Sequence, residues 1–152
     1  MATRETQAQV TRHLSAPPER IFAAFASAEL VARWLSPSPE IELQVLTYDF
    51  QVRGHYRFAY HVPTGQIMHV HGSFLEIVPP RVLVFSWIIE PPDEHAGIDS
   101  KVRVAVAGAL DGSILTIVHE RLDQPGAAER HTGGWLGALD RLESLLRTEA
   151  TA

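Results

Sequence analysis

Cysteine is absent from the 152 residues, which removes disulfides, thiolate zinc sites and cysteine nucleophiles together. Basic charge is scarce as well. Thirteen Lys+Arg stand against 18 Asp+Glu, a net charge of -5 with His neutral, and Lys101 is the only lysine. Proteins held to nucleic acid by phosphate contacts need the opposite balance, so no nucleic-acid partner is expected. No apolar stretch approaches the roughly 20 residues of a membrane-spanning helix. Met1 to Val10 contains no run of signal-peptide length either, which sets the expectation of a cytoplasmic protein with no membrane partner. Also missing are a G-x-S-x-G elbow, H-E-x-x-H spacing and a Gly-rich phosphate cradle. Neither an enzyme, nor a metal, nor a cofactor therefore finds positive support in the motifs.

What is present suits one soluble domain spanning residues 1–152: 45% apolar, 8% aromatic and 20% charged residues. Val10 to Leu14 alternates as a half-buried strand does, and Pro17-Pro18 ends it. Pro18 opens a short helix with Ile21, Phe22 and Phe25 on one side; Ser27 then caps a second, which Ser36-Pro37-Ser38-Pro39 stops. Six strands follow: Ile41 to Tyr48, His55 to His61, Ile67 to Val78, Arg81 to Ile89, Lys101 to Leu110 and Ser113 to Glu120. Their short connections force antiparallel neighbours, and Asp111-Gly112 reads as a type I′ hairpin turn. After Pro125-Gly126, a helix to about Thr148 carries Trp135, Ala138, Leu139, Leu142, Leu145 and Leu146 on one face.

This order is that of an α+β domain whose curved antiparallel sheet must cover its apolar face. The terminal helix is the only cover long enough. A sheet curled round one helix leaves a space between them, and that space is expected to be a concave, largely apolar pocket.

Several short signatures carry a family likeness. They are Glu19-Arg20-Ile21-Phe22-Ala23-Ala24-Phe25, Ala32-Arg33-Trp34-Leu35-Ser36-Pro37, Arg53-Gly54-His55-Tyr56-Arg57-Phe58, Gly72 to Pro80, Val82 to Trp87, Thr116 to Arg121 and Gly134 to Leu142. In these, and in their order, the chain resembles bacterial members of the activator of heat-shock-protein-90 ATPase homologue family. That family lies within the START-like (SRPBCC) superfamily. The resemblance implies the helix-grip fold: a curved antiparallel sheet wrapped round a long C-terminal helix, with two short helices after the first strand. It matches only the C-terminal part of the longer eukaryotic activators. Superfamily members bind lipids, hormones or polyketides, cyclise polyketide chains or assist a chaperone, so the site has to be argued separately. Related small domains often dimerise, which makes a homodimer one expected assembly.

The turn at Pro63-Thr64-Gly65 pairs Tyr60 with Met68, Phe58 with Val70 and Tyr56 with Gly72, an aromatic and apolar set that belongs on the concave side. His69 and His71 then share the convex side with Arg57, Ala59 and His61, facing water. His119 interrupts the apolar strand ILTIVHE and turns inward if Leu115 and Ile117 do; the opposite parity would bury Ile114, Thr116 and Val118. Trp34, Tyr56, Phe58, Trp87 and Trp135 either line the pocket or fill the core. With His119 they form the candidate ligand-binding set. Gly133, Gly134 and Gly137 around Trp135 signal a close backbone approach or a flexible entrance. The loop Pro91 to Asp99 reads as a lid or, preferably, as variable surface. The leading expectation is non-enzymatic binding of a small hydrophobic molecule. Two other readings stay open: a co-chaperone that stimulates a chaperone ATPase, and a polyketide cyclase-like enzyme using His119.

Overall fold

The computed structural model describes residues 6–151, with side chains through residue 148. Ala8–Leu14 forms β1, which starts two residues before the alternation suggests because Ala8 pairs with His119 and is buried beside Leu122, Ala127 and Ala128. Pro18 sits in the first turn of α1 (Pro18–Ala26), where its missing N–H has no partner to lose. The Ser27 hydroxyl accepts from the Leu30 N–H and caps α2 (Ala28–Trp34), as expected.

The remaining strands are β2 (Glu42–Tyr48), β3 (His55–His61), β4 (Ile67–Val78), β5 (Val82–Ile89), β6 (Ser100–Ala109) and β7 (Gly112–Glu120). They join β1 in one antiparallel sheet of order β1-β7-β6-β5-β4-β3-β2. This is the α+β arrangement expected from the order of elements, and the helix-grip fold that the resemblance implies. The β3–β4 register is the one that the Pro63-Thr64-Gly65 turn demands, with Tyr60 opposite Met68, Phe58 opposite Val70 and Tyr56 opposite Gly72. Tyr56, Phe58, Tyr60 and Val70 are buried on the inner face; Ala59, placed by parity on the outer face, is buried as well.

Curvature comes from two β-bulges, one between Val45 and Thr47 against β3 and one between Phe74 and Glu76 against β5. The extra residues, Leu46 and Leu75, are exposed. The second bulge also reverses parity. Phe74 points inward before it and Ile77, opposite buried Leu83, packs on the core after it, while Glu76 stays outside.

One turn differs from expectation. Ala109 pairs with Gly112, so the two-residue loop between β6 and β7 is Leu110-Asp111, and neither residue has positive φ. The hairpin exists without a type I′ turn. Gly112 has φ 147 for another reason: a Cβ there would lie 2.0 Å from the Leu14 carbonyl oxygen, where β1 ends.

The long helix α3 (Ala127–Thr151) lays Trp135, Ala138, Leu139, Leu142, Leu145 and Leu146 into the bowl of the sheet. Arg12 of β1 holds its outer side through Asp140 at 2.7 Å, and the Arg20 guanidinium donates to the Leu146 carbonyl at 2.7 Å. At the other end α3 runs against the segment after α2. A Cβ on Gly137 would lie 1.9 Å from the Pro37 carbonyl oxygen, whereas one on Gly133 meets nothing within 4 Å. Of the two explanations for the glycines, close backbone approach therefore holds at Gly137.

These two positions separate propensity from packing. Gly133→Ala is expected to raise stability by up to about 1 kcal/mol through helix propensity, while Gly137→Ala forces α3 off the Pro37 backbone and costs about 1–3 kcal/mol. Thermal or urea unfolding of the two variants checks the opposite signs; a stabilised Gly137→Ala would refute the contact.

Candidate functional site

Beside the Gly137–Pro37 contact, α3, the sheet and the segment after α2 line a half-open cavity of about 250 Å³. The segment after α2 contributes Leu35, Ser36, Pro37 and Ile41. The sheet contributes Tyr60, Met68, Trp87 and Ile89, with Val62 just beyond β3, and α3 contributes Arg130, His131, Gly134, Trp135 and Ala138. Most of these side chains are apolar. An apolar cavity of about 150 Å³ is large enough for benzene, so this one admits a guest of two fused rings or a comparable chain.

Of the six candidate residues, Trp87 and Trp135 stand in the pocket wall. His119 lies directly behind them, fully buried, on the inward parity shared with Leu115 and Ile117. Trp34, Tyr56 and Phe58 lie away from the wall. The Trp34 indole N–H donates to the Ala24 carbonyl at 3.0 Å, and the Tyr56 hydroxyl donates to the Ser86 carbonyl at 2.6 Å. Phe58 packs against Tyr56 with ring centroids 4.7 Å apart.

The hydrogen bonds of His119 settle its chemical state. An indole N–H can only donate, so Trp135 Nε1 at 3.1 Å makes His119 Nδ1 an acceptor. The ring proton is then on Nε2, 2.8 Å from Ser100 Oγ, and the Ser100 hydroxyl donates onward to the Trp87 carbonyl. Both ring nitrogens are thus committed to protein partners. Burial, with a smaller contribution from His131, pushes the His119 pKa well below the ordinary histidine value and keeps the ring neutral. His119 is a positioning residue for Trp135 in this arrangement.

His131 belongs to the same ring cluster, 4.6 Å from His119 between centroids. Its Nδ1 donates to the Ala127 carbonyl at 2.7 Å, one turn back along α3. Burial lowers its pKa too, against the opposing pull of that hydrogen bond. Sequence reasoning began the apolar stripe at Trp135 because histidine counted as polar. Extending the 3.6-residue period back by four positions reaches His131.

The loop Pro91 to Asp99 is docked rather than loose. Both Asp93 carboxylate oxygens accept from Arg130, at 2.7 and 2.8 Å, and this pairing holds the Asp93 pKa down to about 2. His95 is buried; it accepts from Arg130 at Nδ1 and donates from Nε2 to the Pro125 carbonyl. Nothing in the spacing of residues 93 and 130 announces this clamp, because the two meet only through the fold.

On the outer face, Glu90 accepts two bonds from Arg57 at 3.0 Å and one from His71 Nδ1 at 2.9 Å. The Arg57 bonds, ahead of His71, hold Glu90 at about 2. His71 is paired there, and among the described residues no group of three His, Asp or Glu side chains is placed to hold a metal ion. No described helix is long and apolar enough to cross a membrane.

A family model described as "Activator of Hsp90 ATPase homolog 1-like protein" matches residues 15–147. Among solved structures, a protein from Chromobacterium violaceum is 29% identical with a TM-score of 0.82, covering 92% of this chain and 96% of that one. The AHSA1 protein from Silicibacter pomeroyi is 24% identical with a TM-score of 0.83, covering 94% of this chain and 99% of that one. A protein from Nitrosomonas europaea reaches 20% identity and a TM-score of 0.77, over 99% and 100% of the two chains. No curated protein matches the sequence.

Two buried neutral imidazoles predict a pH dependence of stability. Below about pH 6.5 the unfolded chain takes up protons at positions 119 and 131 that the native chain refuses, so stability falls with pH. The expected loss is roughly 1 kcal/mol per pH unit per histidine, until the native rings protonate. Urea unfolding from about pH 8 to about pH 5 reads the slope, which lies above the range where Asp93 and Glu90 titrate. His119→Gln is expected to remove one histidine's share; an unchanged slope would contradict the assignment.

Proposed function

The chain belongs to the activator of Hsp90 ATPase homolog 1-like family, and from that premise we propose that it is a receptor for a small apolar molecule held between α3 and the sheet. The observation that supports this reading is the cavity itself. It has an apolar lining, it is bounded by two indoles, and it lies where α3 carries glycine at 134 in place of a filling side chain. Desolvation is the binding force. A guest that buries about 250 Å² of apolar surface gains roughly 6 kcal/mol before ordering costs, which corresponds to an affinity of some tens of micromolar or weaker.

His119 does not favour the cyclase-like reading, since an acid or base in catalysis needs a ring nitrogen within reach of substrate. Both nitrogens of His119 face protein atoms instead. A second reading, contact with a chaperone ATPase, rests on the family description alone. Adding the purified chain to a chaperone and measuring ATP turnover tests it, and an unchanged rate would remove it.

The receptor reading is tested with an apolar fluorescent probe such as N-phenyl-1-naphthylamine. Saturable binding is expected, together with a change in indole emission from Trp87 and Trp135. Gly134→Leu should fill the cavity, since a Cβ at this position meets only the Pro37 Cβ, at 3.8 Å; with an unfolding curve to check that the variant is native, affinity should drop about tenfold or more. Non-saturable binding, or an affinity that the variant leaves untouched, would refute the pocket as the binding site.

A further inference from the structure

The polar atoms of the cavity wall are nearly all committed to protein partners. The Tyr60 hydroxyl donates to the Leu35 carbonyl at 3.0 Å, and the Ser36 hydroxyl lies against the carbonyls of Ser38 and Ile41. Arg130 is taken by Asp93, His95 and the Met68 sulfur. Two atoms are left. One is Nε2 of His131, a ring that is nine-tenths buried and whose Nδ1–H is already spent on the Ala127 carbonyl. With the proton on Nδ1, Nε2 carries a lone pair and can only accept. The other is Nε1 of Trp87, a buried indole N–H with no hydrogen-bond partner. Of the two, only the Trp87 N–H is sealed off from solvent; His131 Nε2, unpaired and not sealed, is the acceptor that this largely apolar cavity leaves to a guest.

Resting on the receptor reading above, we propose that the cavity selects an apolar guest carrying one neutral hydrogen-bond donor, a hydroxyl in the first instance, that donates to His131 Nε2. The neighbouring charges narrow the class further. Arg130 precedes His131 in the chain and lines the same cavity, which disfavours an ammonium as the donor. A carboxylate would be attracted to Arg130 but would have to displace Asp93 from a two-point ion pair, and it brings no proton for Nε2.

The test uses a matched pair of probes, 2-naphthol and 2-methoxynaphthalene, titrated calorimetrically at neutral pH. They share the ring system and an oxygen on the same ring carbon, and only the naphthol can donate. The wild-type chain is expected to bind 2-naphthol about three- to tenfold more tightly. His131→Phe keeps an aromatic ring in the wall and removes the acceptor. It should erase the preference, read within the variant as the ratio of the two affinities. Independently of any variant, a long-range proton–nitrogen spectrum of the wild-type histidines should show the His131 Nε2 resonance moving with 2-naphthol and not with its methyl ether.

Equal affinity of the wild-type chain for the two probes would overturn the selection of a donor while leaving the receptor reading intact. A preference that persists in His131→Phe would overturn the assignment to Nε2. If neither probe binds the wild-type chain, the receptor reading falls and takes this inference with it.

Discussion

Trp135 reaches His119 only while the imidazole leaves Nδ1 unprotonated, and on that condition depends the seating of α3 in the sheet. The helix contributes the indole, β7 the imidazole, β6 the Ser100 hydroxyl and β5 the Trp87 carbonyl. Every donor in this chain meets an acceptor, so a polar path runs through the core without an uncompensated group. The same chain holds the Trp135 indole, whose ring centroid lies 5.9 Å from that of Trp87, the other indole of the cavity wall. Structure and site thus share one set of hydrogen bonds. The histidine acts by orienting others rather than by touching a guest.

A hollow persists beside this chain because the two ends of the bowl are filled differently. Under α1 and α2, the rings of Tyr48, Phe50, Tyr56, Phe58 and Phe74 interlock, with neighbouring centroids between 4.7 and 6.5 Å. Such edge-to-face and offset contacts leave little room. Toward the start of α3 the packing thins. Gly137 brings the helix backbone onto Pro37 and so sets its height above the sheet, and no side chain at Gly134 descends into the gap. Arg130 then ties the Asp93–His95 turn across this end through ion pairing.

Much of the fold was legible because periodicity reports burial directly. The stripe Trp135 to Leu146, the Ser27 cap and the register imposed by Pro63-Thr64-Gly65 each follow from local chemistry. The site was less legible, and for particular reasons. Aromatic residues satisfy core and pocket equally well, so Trp87 and Trp135 could not be told from Trp34, Tyr56 and Phe58 before their neighbours were known. His131 escaped notice because a single polar letter interrupts an apolar stripe, although its spacing from Trp135 is that of one helical turn. Arg130 with Asp93 was out of reach altogether, since a pairing between a helix and a loop 37 residues away leaves no pattern. The Leu110-Asp111 turn shows the opposite failure. A strong local signal, Asp-Gly, was present, but the glycine served the passage of β1 rather than the turn.

The bulge at Leu75 makes the number of residues in β4 as constrained as their kind. Before it, the even-numbered positions Val70 and Phe74 face inward; after it, Ile77 does, and Glu76 is kept in water. Removing or adding one residue between Phe74 and Glu76 would exchange the roles of Glu76 and Ile77, pressing a carboxylate against Leu83 and exposing an isoleucine. Substitutions at Leu75 itself are cheap by comparison, because its side chain is outside. Spacing is therefore the tighter physical constraint in this stretch, so divergent relatives that retain the curved sheet should vary in composition around the bulge more readily than in length.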